Sequence, residues 1–215
     1  MGVPLAQLVI GARTAASMQQ GGPWEPSEWD AAVNNAVRAF WVDVTAINNT
    51  LAVTIATITI TNTATPYVAL PADFMNVLSV WERPGTASRR ELRKSGDRSA
   101  YGQRTYRISG KLLYIDPLEA SVDSYELDYN PLPTLLTASV DLDGELVQHR
   151  EYFELHTAIA ALTSEQSPTA DIAPRFAVCQ QRALAWAARQ RSSEPSRPRD
   201  VRPRGGRGRL PGRWP

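Results

Sequence analysis

From Thr50 to Thr61 the chain carries twelve consecutive residues without a charge, nine of them Thr, Val or Ile, after a stretch patterned as a helix. β-Branched side chains are stiff at χ1 and fit the pleated surface of a sheet better than a helix. A strand is therefore expected here, following a helix. Val53 and Ile55 stand in one alternation phase and Ile58 and Ile60 in the other, which predicts a bulge near Ala56-Thr57. With high β-propensity and no charge, Leu51 to Ile60 is an aggregation hazard if it forms a free edge, so something must cover it.

The run opens a β-rich stretch. Tyr67 to Leu70 and Phe74 to Trp81 are extended segments, and Tyr106 to Ile115 is a hairpin turning at Ser109-Gly110. Tyr125, Leu127 and Tyr129 alternate with Glu126 and Asp128, a strand with one apolar and one wet face. Before this stretch, Leu5, Leu8, Val9, Ala12, Ala15 and Ala16 recur at helical spacing until Gly21-Gly22-Pro23 ends the run. A second helix follows, with Ser27 as its N-cap and Trp29, Val33, Ala36, Val37, Phe40, Trp41 and Val44 as its apolar stripe. After Gly144, Leu146, His149, Tyr152, Phe153, His156 and Ile159 mark a third helix to about Ser164, and Phe176, Cys179, Ala183 and Trp186 a fourth to about Gln190.

The fold class expected is α+β: a mostly α four-helix bundle with an inserted β-rich subdomain between helices 2 and 3. The expected boundaries are 1–49 for the N-terminal helices, 50–132 for the β-rich insert, 133–188 for the C-terminal helices and 189–215 for an extended arm. In the arm five Pro and four Gly stand among 27 residues with almost no aliphatic side chains, a composition that supports neither a core nor a regular element.

Charge divides at the same place. Nine of the 23 Lys and Arg and two of the 22 Asp and Glu lie in the arm, leaving 14 basic and 20 acidic residues before it, so the net charge of +1 is a body at −6 joined to an arm at +7. Nine guanidinium groups on an extended backbone can pair bidentately with carboxylates or phosphates. Trp214 is the arm's single aromatic, which suits an anchor in a partner's apolar pocket better than a base-stacking platform. The candidate partner-binding residues are Arg189, Arg191, Arg197, Arg199, Arg202, Arg204, Arg207, Arg209, Arg213 and Trp214. A second basic stretch holds Arg89, Arg90, Arg93, Lys94 and Arg98, with Arg104 and Arg107 beyond, either a solvated loop or a contact for DNA or a neighbouring subunit.

Catalytic and metal-binding patterns are absent from the sequence. His149 and His156 are seven apart, about 10 Å by helical rise, too far for one ion. Cys179 has no base or oxyanion motif beside it, and as the lone cysteine it forms no intrachain disulfide, in keeping with a reducing compartment. Asp141-Leu142-Asp143-Gly144 resembles part of a calcium loop, but the position of the distal bidentate Glu is Tyr152. The expectation is a non-catalytic assembly protein with no cofactor and no metal. No stretch reaches the roughly 18 apolar residues of a membrane span, and no signal-like segment opens the chain, so neither a membrane nor secretion is expected.

Three phrases carry a resemblance: Leu70-Pro71-Ala72-Asp73-Phe74 leading into Val77-Leu78-Ser79-Val80; Tyr106 through Ile115-Asp116-Pro117; and Leu127-Asp128-Tyr129-Asn130-Pro131-Leu132-Pro133 before the third helix. In this order between four helices they resemble the head-to-tail adaptor, or connector, proteins of tailed bacteriophages, over roughly residues 5 to 190. The resemblance implies a virion neck protein, assembled in the host cytoplasm, that forms a homo-oligomeric ring commonly of twelve subunits. Such a ring docks on the portal protein, meets a tail or neck protein below, and passes DNA through its lumen. It implies helices in the ring wall and a C-terminal segment reaching onto the portal. On that reading a ring neighbour covers the Leu51–Ile60 run by strand addition, and Trp24, Trp29, Trp41 and Trp186 supply apolar surface for subunit interfaces. The competing expectation is a nucleic-acid-binding module that uses the basic arm and Arg89 to Arg107 on phosphates.

Overall fold

The computed structural model describes residues 2–18, 24–60, 67–82, 90–95, 104–116 and 123–193. Two helices come first, α1 (Leu5–Ala15) and α2 (Pro26–Ile47). Eight strands follow: β1 (Thr54–Ile60), β2 (Tyr67–Ala69), β3 (Phe74–Glu82), β4 (Arg90–Glu91), β5 (Arg93–Lys94), β6 (Thr105–Ser109), β7 (Leu112–Asp116) and β8 (Asp123–Pro131). A 3-10 turn (Gly144–His149) leads directly into α3 (Arg150–Ser164), and α4 (Ala173–Ser193) closes the order.

The second helix starts earlier than the Ser27 cap predicts. Pro26 occupies its first turn, where a fixed φ and a missing N–H cost nothing, and Glu25 and Glu28 form a reciprocal capping box, with the Glu25 N–H donating to Glu28 Oε2 at 2.7 Å. Asp143 caps the 3-10 turn by accepting from the Gly144 N–H at 2.6 Å, while Leu142 pairs with Val3. The calcium-like phrase is thus a helix entry tied to the N-terminal segment.

The strands form two four-stranded sheets, ordered β1-β8-β3-β4 and β2-β7-β6-β5. Ile58, Ile60, Val80, Tyr125, Leu127 and Tyr129 from the first and Tyr106, Leu113 and Ile115 from the second share one buried cluster, so the sheets enclose a common core. Leu92 lies between β4 and β5, where the chain leaves the first sheet for the second. It is 3% exposed although all four of its strand neighbours are charged and exposed, and its N–H donates to the Val80 carbonyl at 2.8 Å. The hairpin turns one residue later than expected, at Gly110-Lys111 between the paired Ser109 and Leu112, with Gly110 at φ +59, a left-handed value that suits glycine.

A second, larger cluster belongs to the helices and includes Leu8, Trp29, Val33, Phe40, Tyr152, Phe153, Leu155 and Ala183. Here the expectation of a four-helix bundle with a β insert is corrected. The strands are two sheets with a core of their own rather than an appendage, and the helices do not pack four around a shared axis. They converge on α3, which packs against α1, α2 and α4, whereas α1 packs mainly on α3. The cause is legible in length: α1 has 11 residues against 22 in α2, about 16 Å against 33 Å, too short to line a four-helix core. The class α+β is compatible with this architecture.

The two clusters are joined by buried amides. Asn130, 1% exposed at the end of β8, donates to the carbonyls of Asn49 at 2.7 Å and Ala52 at 2.5 Å. Asn48, 2% exposed, donates to the Ala187 carbonyl at 3.2 Å and accepts from the Thr50 hydroxyl at 2.7 Å. Trp41 Nε1 donates to the Pro131 carbonyl at 3.1 Å. Each buried polar group finds a partner here, which fixes how the sheets leave the helices.

Candidate assembly surfaces

The tryptophans expected at subunit interfaces are used within the chain. Trp29 is 1% exposed in the helical core, with Trp24 packed on it at 5.0 Å between ring centroids. Trp24 Nε1 donates to Ser164 Oγ at 2.9 Å, and Trp186 packs on Phe40 and His149. The large apolar side chains left exposed are others: Ile10, Val42, Val53, Ile55 and Val178 among them. Sequence periodicity signals an apolar stripe but cannot say whether a partner lies in the same chain.

The basic stretch is divided by the fold. Arg104 is 9% exposed and pairs with Glu82, and the Arg107 guanidinium sits 4.0 Å above the Tyr114 ring. Arg90, Arg93 and Lys94 are exposed where the chain changes sheets, with Glu91 among them. Arg89 and Arg98 lie outside the described residues. Among the described residues the three cations Arg90, Arg93 and Lys94 share one end of the sheets.

In the other basic region, α4 continues through Arg189 and Arg191 to Ser193, so the first two arginines of the expected arm sit at a helix C-terminus, where positive charge suits the helix dipole. Arg189 is exposed. The candidate residues Arg197, Arg199, Arg202, Arg204, Arg207, Arg209, Arg213 and Trp214 lie outside the described residues.

Close to the root of the arm, a cavity of about 220 Å³ lies between the start of α3 and α4, lined by His149, Glu151, Cys179, Arg182, Trp186 and Arg189 among others. Its chemistry is subdued. Burial pushes the Cys179 thiol up, Glu151 pushes it further in the same direction, and Arg182 and Arg175 oppose the rise only in part. A thiol held protonated is a poor nucleophile. Burial likewise lowers His149 and His156, against the smaller opposing pulls of Glu145 and Asp43. Both imidazoles are packed on aromatic rings, His149 on Phe40 and Trp186, His156 on Tyr152 and Phe176. Asp43 accepts from Tyr152 at 3.1 Å and Gln180 at 3.0 Å, tying α2, α3 and α4 together. Among the described residues no group of three or more His, Cys, Asp or Glu is placed to hold a metal ion, and no helix is long and apolar enough to cross a membrane.

β1 is more regular than the sequence pattern suggests. Its register with β8 is unbroken from Thr54 opposite Tyr129 to Ile60 opposite Asp123, without the expected bulge. The change of phase is resolved by exposure: Ile58 and Ile60 enter the core, while Val53 and Ile55 stay 45% and 62% exposed. The register shifts occur instead in β3 opposite β8, between Phe74 and Asn76 and between Val77 and Ser79.

The family model described as SU10 adaptor protein matches residues 5–205. No curated protein matches the chain.

Proposed function

Since the chain belongs to the SU10 adaptor protein family, and so is a head-to-tail adaptor of a phage and a structural component of the virion, we propose that it assembles into a ring. That ring docks on the portal and continues the DNA channel toward the tail, with a tail or neck protein below. The observation that carries the reading is the extent of the family match. It covers the sheet cluster and all of the helical cluster but Val3, and runs past the end of α4 at Ser193 to residue 205, including the first part of the basic arm. The match therefore supports the arm as part of what the family does, where the three resembling phrases spoke for the body alone.

On this reading α4 delivers the arm to the portal, and the arm's arginines, from Arg189 to Arg213, grip carboxylates there while Trp214 fills an apolar pocket. The net charge of +7 on the arm against −6 on the body favours an acidic surface on another protein over a return to bulk solvent. The test is to mix portal rings with the full chain and with a chain ending at Ser193. The full chain should co-sediment with portal and the shortened one should not, both showing the same melting temperature. Equal binding by the two would remove the arm from portal docking.

The reading as a nucleic-acid-binding module loses Arg104, which is buried and paired with Glu82, while Arg107 stays exposed with its guanidinium over the Tyr114 ring. It predicts affinity for duplex DNA falling by about 0.9 log units per log of salt for each phosphate neutralised. A steep fall of that kind, together with portal binding unaffected by loss of the arm, would restore it.

A further inference from the structure

We propose that neighbouring copies of this chain join edge to edge, β1 of one copy lying along the far side of β3 of the next. This rests on the reading that the protein forms a ring, and it names the surface that closes it. Among the described residues β1 is paired on one side only, by β8. A free strand edge invites another strand, and proteins guard such edges by making them short, charged, bulged or proline-bearing. The other outer strands follow that rule. β4 and β5 have two residues each, all charged, and β2 has three. β1 has seven residues, no charge, no proline and an unbroken register, with Ile55 on its open face 62% exposed.

What fits this edge is set by length, charge and direction. β3 has nine residues and is paired along β8, but on its other side β4 meets it only at Trp81 and Glu82, and Leu92 reaches the Val80 carbonyl. Among the described residues Phe74–Ser79 is left unpaired there. These six residues, like those of β1, carry no charge, and Met75 and Leu78 are half-buried. Six residues span about 20 Å, which β1 matches. Both β1 and β3 run antiparallel to β8, so they are parallel to each other. Copies related by a small rotation about a ring axis keep their strand directions, and β1 of one then meets β3 of the next as a parallel pair. The contact uses different surfaces on the two copies, the heterologous kind that repeats and closes a ring. Pairing of β1 with β1 would stop at two copies.

The test uses the full chain with Thr57→Cys on β1 and Asn76→Cys on β3, both exposed positions, treated with a short bismaleimide alone and on portal rings; Cys179 is buried. The doubly substituted chain should give a ladder of covalent multimers extending beyond the dimer, and each single variant none. Dimers from Thr57→Cys alone, with no ladder from the double variant, would mean that β1 pairs with itself and would overturn the proposal. No ladder while the unsubstituted chain has the mass of a ring would overturn it and leave the ring reading intact. A single-chain mass with and without portal would overturn both. Independently, Ile55→Lys should keep the melting temperature and lose the ring; a ring retained by this variant counts against the edge.

Discussion

Phe40 sits where the helical unit is most tightly interlocked, and its truncation gives a quantitative test of that packing. Its ring is 1% exposed and lies 5.0 Å from His149, 5.1 Å from Tyr152 and from Phe153, and 6.3 Å from Trp186. Phe→Ala in a core costs about 3–5 kcal/mol, and the cost rises when the surroundings cannot collapse into the cavity. Here the walls are large rings carried on α3, α4 and the 3-10 turn, each fixed by contacts of its own, so little collapse is available and the loss should be about 4 kcal/mol. For a chain of this size that corresponds to a fall of roughly 8–16 °C in melting temperature. Phe40→Leu keeps most of the volume and should cost less than about 1.5 kcal/mol. Urea unfolding followed by far-UV circular dichroism and by tryptophan fluorescence measures both. A loss below about 1 kcal/mol for Phe40→Ala, or an equal loss for the two variants, would refute the interlocked packing.

His149 and His156 have pKa values lowered by burial, so their neutral forms stabilise the fold. That stabilisation is complete above the unfolded value of about 6.5 and is lost as pH falls below it through the folded values; the urea midpoint should drop from pH 7.5 to pH 5.5, and the drop should shrink when both are replaced by Gln. Asn130→Ala leaves the carbonyls of Asn49 and Ala52 without their buried donor and should cost about 1–3 kcal/mol by urea titration. The Cys179 thiol, raised by burial and Glu151, should react with a thiol reagent far more slowly in the native protein than in urea; equal rates would contradict its burial.

Elements announced by local chemistry were legible in the sequence. The hairpin between β6 and β7 needed only a glycine at positive φ between two apolar strands, and the α2 stripe needed only helical spacing. Arrangements decided by tertiary partners were not. Leu92 gives no periodic signal, being one apolar residue among four charged ones, yet it is buried where the chain changes sheets. The mixed phases of Val53, Ile55, Ile58 and Ile60 suggested a bulge because burial of all four was assumed, while an outer strand can leave two of them exposed. The stripes on four helices showed that each packs against something; that α3 is the shared partner depended on helix length and connection. Among the candidate assembly residues, charge located the arm, but no sequence rule separated Arg104, buried against Glu82, from the exposed Arg90 and Lys94.

The proposed ring would form around the path of DNA and seat on the portal. Native mass measurement of the full-length chain, alone and mixed with portal rings, tests it most directly. A closed assembly of fixed copy number bound to the portal ring is expected. A mass of one chain under both conditions would contradict it.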